Sequence, residues 1–233
     1  MAHPDRVRSL LLVLASLSAP GPARATDGAL VFRLGSFFPG GESQVWTLNT
    51  ETFDFEVADF NYVMGGVELD LELTNYLDVA IGFDGYSRRV DSTYRDFVRD
   101  DGTDIPQSFK LKVLPITAGL RFLPLGKFRK LIPHVAVGAG LYYFEYLEEG
   151  DFINATSFEV FPGTFQDRGL DPGLLAGAGA EYRFSKGIDP GEGWYLFGQF
   201  RRHWVSAELK RDFGGENLEL GGDEFAFGLS LRF

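Results

Sequence analysis

The chain has 233 residues, 29 glycines, no cysteine and a formal net charge of −11. A chain of this length forms one domain or a small pair of domains. The lack of cysteine excludes a disulfide scaffold, a thiolate metal site and a cysteine nucleophile. The negative charge makes nucleic acid a poor partner, because binding to its phosphates requires a basic surface patch.

The start of the chain differs in composition from the rest. Arg6 and Arg8 form a basic beginning, an apolar run follows, and Ala23-Arg-Ala25 offers small residues for cleavage. This pattern is typical of a secretory signal peptide. We predict a signal peptide over 1–25 and one mature domain over 26–233. An N-terminal membrane anchor is disfavoured, because the apolar run is shorter than the roughly 20 residues that span a bilayer.

Eight later segments alternate apolar and polar residues, which is typical of strands with one apolar and one polar face. We interpret them as strands of about the length that a tilted membrane strand needs, roughly 9–11 residues. In chain order they are centred on 30–34, 67–73, 77–83, 114–122, 135–143, 174–184, 194–204 and 225–233.

The fourth segment contains an irregularity. Phe109, Leu111 and Val113 have the opposite parity to Leu114 and the apolar residues after it. A β-bulge inserts one extra residue into a strand and so reverses the faces of the side chains that follow. Because proline in a sheet is often found at bulges, we predict a bulge near Pro115.

The connections alternate in length. Those after the second, fourth and sixth segments are short, whereas the others are long, at 39–62, 86–108, 146–170 and 205–222. A meander barrel with both termini on the periplasmic side has this alternation. In the bilayer core every backbone polar group must be paired, so strands survive there only as a closed barrel. We therefore predict an all-β fold, a closed antiparallel eight-stranded transmembrane meander β-barrel.

The signal peptide, the eight segments, the alternating connections and the ending Phe227-Gly-Leu-Ser-Leu-Arg-Phe233 resemble small bacterial outer-membrane barrels of the outer membrane protein W, X and A-domain kind. The resemblance implies a location in a bacterial outer membrane, in contact with its lipids and lipopolysaccharide. The ending is similar to the C-terminal signal of this class, so the barrel-assembly machinery is an expected partner through Phe233. No cofactor is predicted.

The polar faces of the predicted strands carry charges of both signs. The interior of an eight-stranded barrel is only wide enough to be filled by side chains. We expect these charges to form a packed network of ion pairs, and a narrow ion or solute channel gated by the pairs is the alternative. The predicted lumen residues are Arg33, Glu68, Asp70, Glu72, Asp78, Asp84, Arg121, Glu181, Arg183, Arg201, His203, Glu224 and Arg232.

An enzymatic alternative rests on His203 and Ser206, which faintly resemble the His-x-Ser-Asn element of outer-membrane lipid A deacylases. Their spacing of three residues places them on opposite faces of a regular strand, and Ala207 stands where that family has asparagine. A general base must lie about 3 Å from its nucleophile. We therefore predict no catalytic site and a structural, adhesive or small-solute passage role.

Two predicted loops are unusually rich in phenylalanine for exposed segments. These phenylalanines could pack as a cap over the barrel or form a docking surface. The acidic segment 100–104 could offer oxygen ligands to calcium but lacks the EF-hand pattern, so we expect a solvated loop and no metal site. The loop phenylalanines are Phe53, Phe55 and Phe60 in the first loop and Phe152, Phe158, Phe161 and Phe165 in the third.

Overall fold

The structure is a computed structural model that describes residues 27–154, 156–185, 191–210 and 212–233. The predicted signal peptide lies outside the described residues. Among the residues described, no helix is long and apolar enough to cross a membrane.

Eight long strands make up most of the described chain, with a short helical segment after the first strand and a small hairpin before the last. The helical segment consists of α1 (Gln44–Thr52) and a 3-10 helix (Val57–Phe60), and the small hairpin of β8 (Ser206–Leu209) and β9 (Glu216–Glu219). The long strands are β1 (Gly28–Pro39), β2 (Tyr62–Thr74), β3 (Leu77–Val98), β4 (Asp104–Phe122), β5 (Leu131–Ile153), β6 (Val160–Arg183), β7 (Gly193–Trp204) and β10 (Gly222–Arg232).

The eight long strands form a closed antiparallel ring. Each strand pairs with its neighbours in chain order, and β10 follows β7 in the ring. The ring closes at β1, where Phe32 lies opposite Val67 of β2 on one side and Leu229 of β10 on the other. The ring therefore has no free edge, and the predicted fold class is confirmed.

The half of the ring that carries the short turns has an apolar outer surface. Large apolar side chains point outward and are exposed, while the residues between them point inward and are buried or partly buried. In water such a surface would be unfavourable, whereas in hydrocarbon it is the expected one. We call it the apolar band, and it includes Phe32, Leu69, Ile81, Ile116, Leu141, Leu174, Leu196 and Phe227.

The polarity of the sheet inverts beyond the apolar band. On β4, Phe109, Leu111 and Val113 point inward and are buried, whereas Lys110 and Lys112 point outward. Pairing between β4 and β5 continues through this point without a register shift. The predicted bulge near residue 115 is therefore wrong. The parity of the apolar residues changes because the outer medium changes from lipid to water and the interior becomes apolar.

Two connections predicted as long loops are mostly strand. β3 and β4 continue to the turn at 99–103, and β5 and β6 continue to the loop at 154–159. These four strands have 19 to 24 residues, more than the roughly 9–11 that a bilayer requires. They therefore extend well beyond the apolar band.

The first long connection folds into the interior of this extension. α1 places Trp46 inside, where its ring centroid lies 4.9 Å from that of Phe60 and 6.1 Å from that of Tyr146. Phe55 packs on Phe109 with centroids 4.7 Å apart. We call residues 44–60 the cap. Of the two possibilities for the first-loop phenylalanines, the structure has them buried in the cap.

The phenylalanines of the third predicted loop are divided between interior and surface. Phe152 is buried and packs on Phe165 at 4.6 Å. Phe158 and Phe161 are exposed. Part of this segment therefore belongs to the packed extension, and part offers apolar side chains to the solvent.

Candidate functional site

The first ion-pair cluster lies in the lumen nearest the cap and is built on five strands. Arg33 donates to both carboxylate oxygens of Asp84, at 2.8 and 2.9 Å. Arg201 donates two hydrogen bonds of 2.9 Å to Glu224 and one of 3.1 Å to Asp84. Glu68 pairs with Arg33 and lies 3.9 Å from Arg201. All five side chains are at least nine-tenths buried.

The second cluster lies nearer the short turns. Arg121 pairs with Asp70 and lies 3.1 Å from Glu181. Arg232 donates to Glu181 at 3.0 Å and lies 3.7 Å from Asp78. Glu72 pairs with Arg232 at 3.3 Å and with Lys127 of the following turn. Arg183 lies half-buried at the short-turn end of β6, opposite Tyr195.

Glu68 joins the two clusters, because its second carboxylate oxygen pairs with Arg121. Small residues leave the space that these charges occupy. A Cβ added at Gly66 would collide with the Asp84 carboxylate, and one at Gly82 would lie 3.0 Å from the Arg33 guanidinium. Glycines on these strands therefore leave the room that the carboxylate and guanidinium groups need.

The lumen is filled at the level where the clusters meet. A cavity of about 20 Å³ remains there, lined in part by Glu68, Arg121 and Arg201. A cavity of this size holds about one water molecule, which is too little for a continuous hydrated path. Above it, the cap fills the interior of the extension. Two different barriers, one ionic and one apolar, thus lie in series.

His203 and Ser206 are not brought together. His203 is buried in the lumen, with Nδ1 2.9 Å from the Tyr142 hydroxyl and Nε2 3.1 Å from Glu224. Ser206 is exposed on β8. A histidine held by Tyr142 and Glu224 on the inner face cannot serve as base for a hydroxyl on the outer face.

A polar contact joins the cap to the barrel wall. Asn49 of α1 donates to the Tyr146 hydroxyl at 2.8 Å and to Glu148 at 2.6 Å, and Tyr146 donates to Glu148 at 2.8 Å. Glu148 lies beyond the apolar band, and burial raises its pKa above the usual range, although both hydrogen bonds act to lower it. The sequence pattern did not indicate these residues, because 39–62 and 146–170 were both predicted to be loops.

A groove of about 1130 Å³ lies between the tips of the β3–β4 and β5–β6 hairpins. Phe97, Val98, Phe158 and Phe161 are exposed along it. Phe158 has a backbone φ of 58°, which is uncommon for a residue with a side chain. Charged groups, including Asp100 and Glu159, also line it. In the described part of the chain, no group of three or more acidic or histidine side chains is placed to hold a metal ion.

The sequence matches no protein-family model and has no significant match among curated proteins. Solved structures match most of its length. The outer membrane protein OprG of Pseudomonas aeruginosa has a TM-score of 0.54 at 12% identity, covering 90% of this chain and 97% of that one. Neisserial surface protein A has a TM-score of 0.44 at 11% identity, covering 89% and 97%. The attachment invasion locus protein Ail of Yersinia pestis has a TM-score of 0.44 at 10% identity, covering 90% and 100%.

The closed ring of eight strands, the apolar band and the charged interior define an outer-membrane β-barrel. The similarity to OprG agrees with this class and concerns the fold, since the identity is only 12%. The predicted resemblance to small outer-membrane barrels is confirmed at the level of the fold. The fold and the apolar band support the predicted location in a bacterial outer membrane.

Proposed function

We propose that the chain is a non-enzymatic outer-membrane protein that does not conduct solutes and instead presents a binding surface outside the cell. The observation that carries this proposal is the filled lumen, in which buried ion pairs and the apolar cap lie in series. A channel would need a hydrated path through both. The exposed groove between the hairpin tips is the surface that remains available for adhesion.

Conductance in planar bilayers tests the closed lumen. We expect refolded protein, checked for heat-modifiable migration on a denaturing gel, to give no unit conductance at neutral pH, while a general porin gives steps in the same bilayers. Reproducible steps from the wild-type protein would support the alternative of a narrow ion or small-molecule channel and would contradict the proposal.

Whole-cell binding to octyl-agarose beads tests the adhesive surface. We expect cells that display the protein to be retained on octyl-agarose but not on plain agarose. Val98→Ser with Phe158→Ser should reduce retention, because both side chains are more than half exposed at the groove. Leu125→Ser, in a turn at the opposite end of the barrel, is the matched control and should leave retention unchanged. Equal retention of all three proteins would argue against adhesion through the tips.

The enzymatic alternative predicts a change in lipid A. Mass analysis of lipid A from cells with and without the protein should give identical spectra, and replacement of His203 and Ser206 by alanine should change nothing. A modified lipid A that depends on either residue would contradict the non-enzymatic proposal.

Export and assembly are further parts of the proposal. We infer that residues 1–25 are cleaved as a signal peptide and that the barrel-assembly machinery reads the strand ending at Phe233. The backbone of Phe233 exchanges hydrogen bonds of 2.9 and 3.0 Å with Gly28, so the last residue completes the seam of the ring. Deletion of Phe233 should lower the amount of heat-modifiable barrel in outer-membrane fractions, whereas an unchanged amount would contradict this role.

A further inference from the structure

A patch of positive charge lies on the outer wall immediately beyond the apolar band. On three adjacent strands the outward residues change from apolar to charged at neighbouring positions. Lys112, Glu145 and Arg168 are in register across β4, β5 and β6, so their Cβ atoms are about 5 Å apart from strand to strand. The apolar residues one outward position nearer the band are Leu114, Tyr143 and Leu170.

The charges of this patch do not balance. Glu145 accepts a hydrogen bond of 2.9 Å from Lys110. Lys112 and Arg168 have no carboxylate within ion-pair distance among the residues that the structure describes, and the Lys112 ammonium lies 5.9 Å from the centroid of the Tyr143 ring. Three cations thus surround one carboxylate, in a chain whose net charge is −11.

The excess of positive charge lies on this side of the barrel, and β7, the next strand of the ring, offers a comparison. Arg202 on β7 also points outward beyond the band, but it donates to both carboxylate oxygens of Asp223, at 3.1 and 3.0 Å. Its charge is therefore neutralised by the neighbouring strand. On the β4–β6 wall, by contrast, two cations at the same level, Lys112 and Arg168, have no such carboxylate partner among the described residues.

We propose that Lys112 and Arg168 bind the phosphate groups of an anionic lipid in the outer leaflet, while Lys110 neutralises Glu145 between them. This rests on the proposed outer-membrane location. Lipid phosphates lie where the hydrocarbon ends, which is the level of this patch, and arginine and lysine are strong donors to phosphate oxygens. The acyl chains of the same lipid would cover Leu114 and Leu170 below. Position and charge together favour a lipid over a free anion.

Native mass spectrometry of the folded, detergent-solubilised barrel tests the proposal with two probes, lipid A and the same lipid with its phosphates removed. We expect wild-type protein to prefer the phosphorylated form. Lys112→Gln with Arg168→Gln should weaken binding of that form roughly 30-fold and leave binding of the other unchanged. Arg202→Gln is the matched control and should bind like the wild type.

Three outcomes would overturn the lipid site: equal binding of the two lipids, wild-type affinity of the double variant, or displacement of the lipid by inorganic phosphate at equal concentration. Heat-modifiable migration of each variant verifies that the barrel is folded. Failure to obtain any folded barrel in detergent would instead overturn the proposed location, so the two failures are distinguishable. The result of this lipid-binding measurement does not depend on whether the barrel conducts ions or binds octyl-agarose.

Discussion

The buried carboxylate of Glu68 is shared by three arginines, Arg33, Arg121 and Arg201. Removing one partner of a buried ion pair leaves the others without compensation, which typically destabilises a protein by about 3–5 kcal/mol. We expect Glu68→Gln to lower the free energy of unfolding by this amount, measured by urea titration of the refolded barrel.

The matched control for Glu68 is Glu149→Gln. Glu149 pairs with Arg89 at 3.5 Å, and both side chains are half exposed. Exposed pairs contribute only about 0.2–1 kcal/mol, so this variant should unfold nearly like the wild type. Equal stabilities of the two variants would mean that the lumen charges are hydrated rather than packed.

A second residue-scale prediction concerns pH and the cap. Burial raises the pKa of Glu148 in the folded protein above its usual value of 4.5. A raised pKa means that the folded state holds the proton more tightly. Stability from this group is therefore complete below about pH 4.5 and is lost as pH rises through the folded pKa. We expect protease cleavage within the cap to accelerate over this pH range.

Glu148→Gln isolates that effect, because glutamine keeps the shape of the side chain but does not titrate. The variant should lose most of the pH dependence of cap cleavage, while Glu149→Gln, its exposed neighbour, should keep it. If cap cleavage instead slowed as pH rose in the wild type but not in Glu148→Gln, the assigned direction would be wrong.

At the scale of elements, the cap helix offers a direct comparison of its two faces. Trp46 is fully buried, whereas Leu48 is 42% exposed on the same helix. Truncating a buried tryptophan costs about 3–5 kcal/mol, and surface changes usually stay within about 0.5 kcal/mol. Trp46→Ala should therefore release the cap to proteolysis, and Leu48→Ala should not. Equal protection of both variants would contradict packing of the cap through Trp46.

The sequence predicted an element correctly or not depending on the medium around it, hydrocarbon or water. In the apolar band the outer medium is hydrocarbon and the inner face is polar, so alternation in the strand ending at Phe233 identified both the strand and its faces. Several charged residues named from that alternation are buried in the lumen, where Glu68 meets Arg121 and Arg201, whereas Arg183 is only half-buried.

Beyond the apolar band, the alternation of apolar and polar residues no longer identified which side chains face inward, and the reason is physical. Val113 and Leu114 have opposite faces on an unbroken strand, and both are apolar because one meets the cap and the other approaches the lipid. Alternation alone cannot distinguish this from a bulge. The cap itself was visible only as phenylalanine in a predicted loop. Its burial depends on long-range contacts such as Trp46 with Tyr146, which no local pattern encodes.

For the whole molecule, the two barriers in series lead to a prediction about permeation. The cap fills the extension, and the joined clusters around Glu68 fill the lumen below it. Because each barrier is complete without the other, removing one should leave the barrel closed. We expect a variant with the cap replaced by a Gly-Ser linker to remain non-conducting in planar bilayers. Heat-modifiable migration would verify that its barrel has formed.

Opening the path should require a second change. Alanine at Glu68, Arg121, Arg201 and Glu224 removes two acids and two arginines, so the net charge of the lumen is unchanged and the space of four large side chains is freed. This variant alone should also be closed, since Trp46 and its neighbours still fill the extension. When the four alanine substitutions are combined with replacement of the cap by the linker, we expect the barrel to conduct ions. Conductance after replacement of the cap alone would mean that the ion pairs do not seal the lumen, because water and ions would then pass between them.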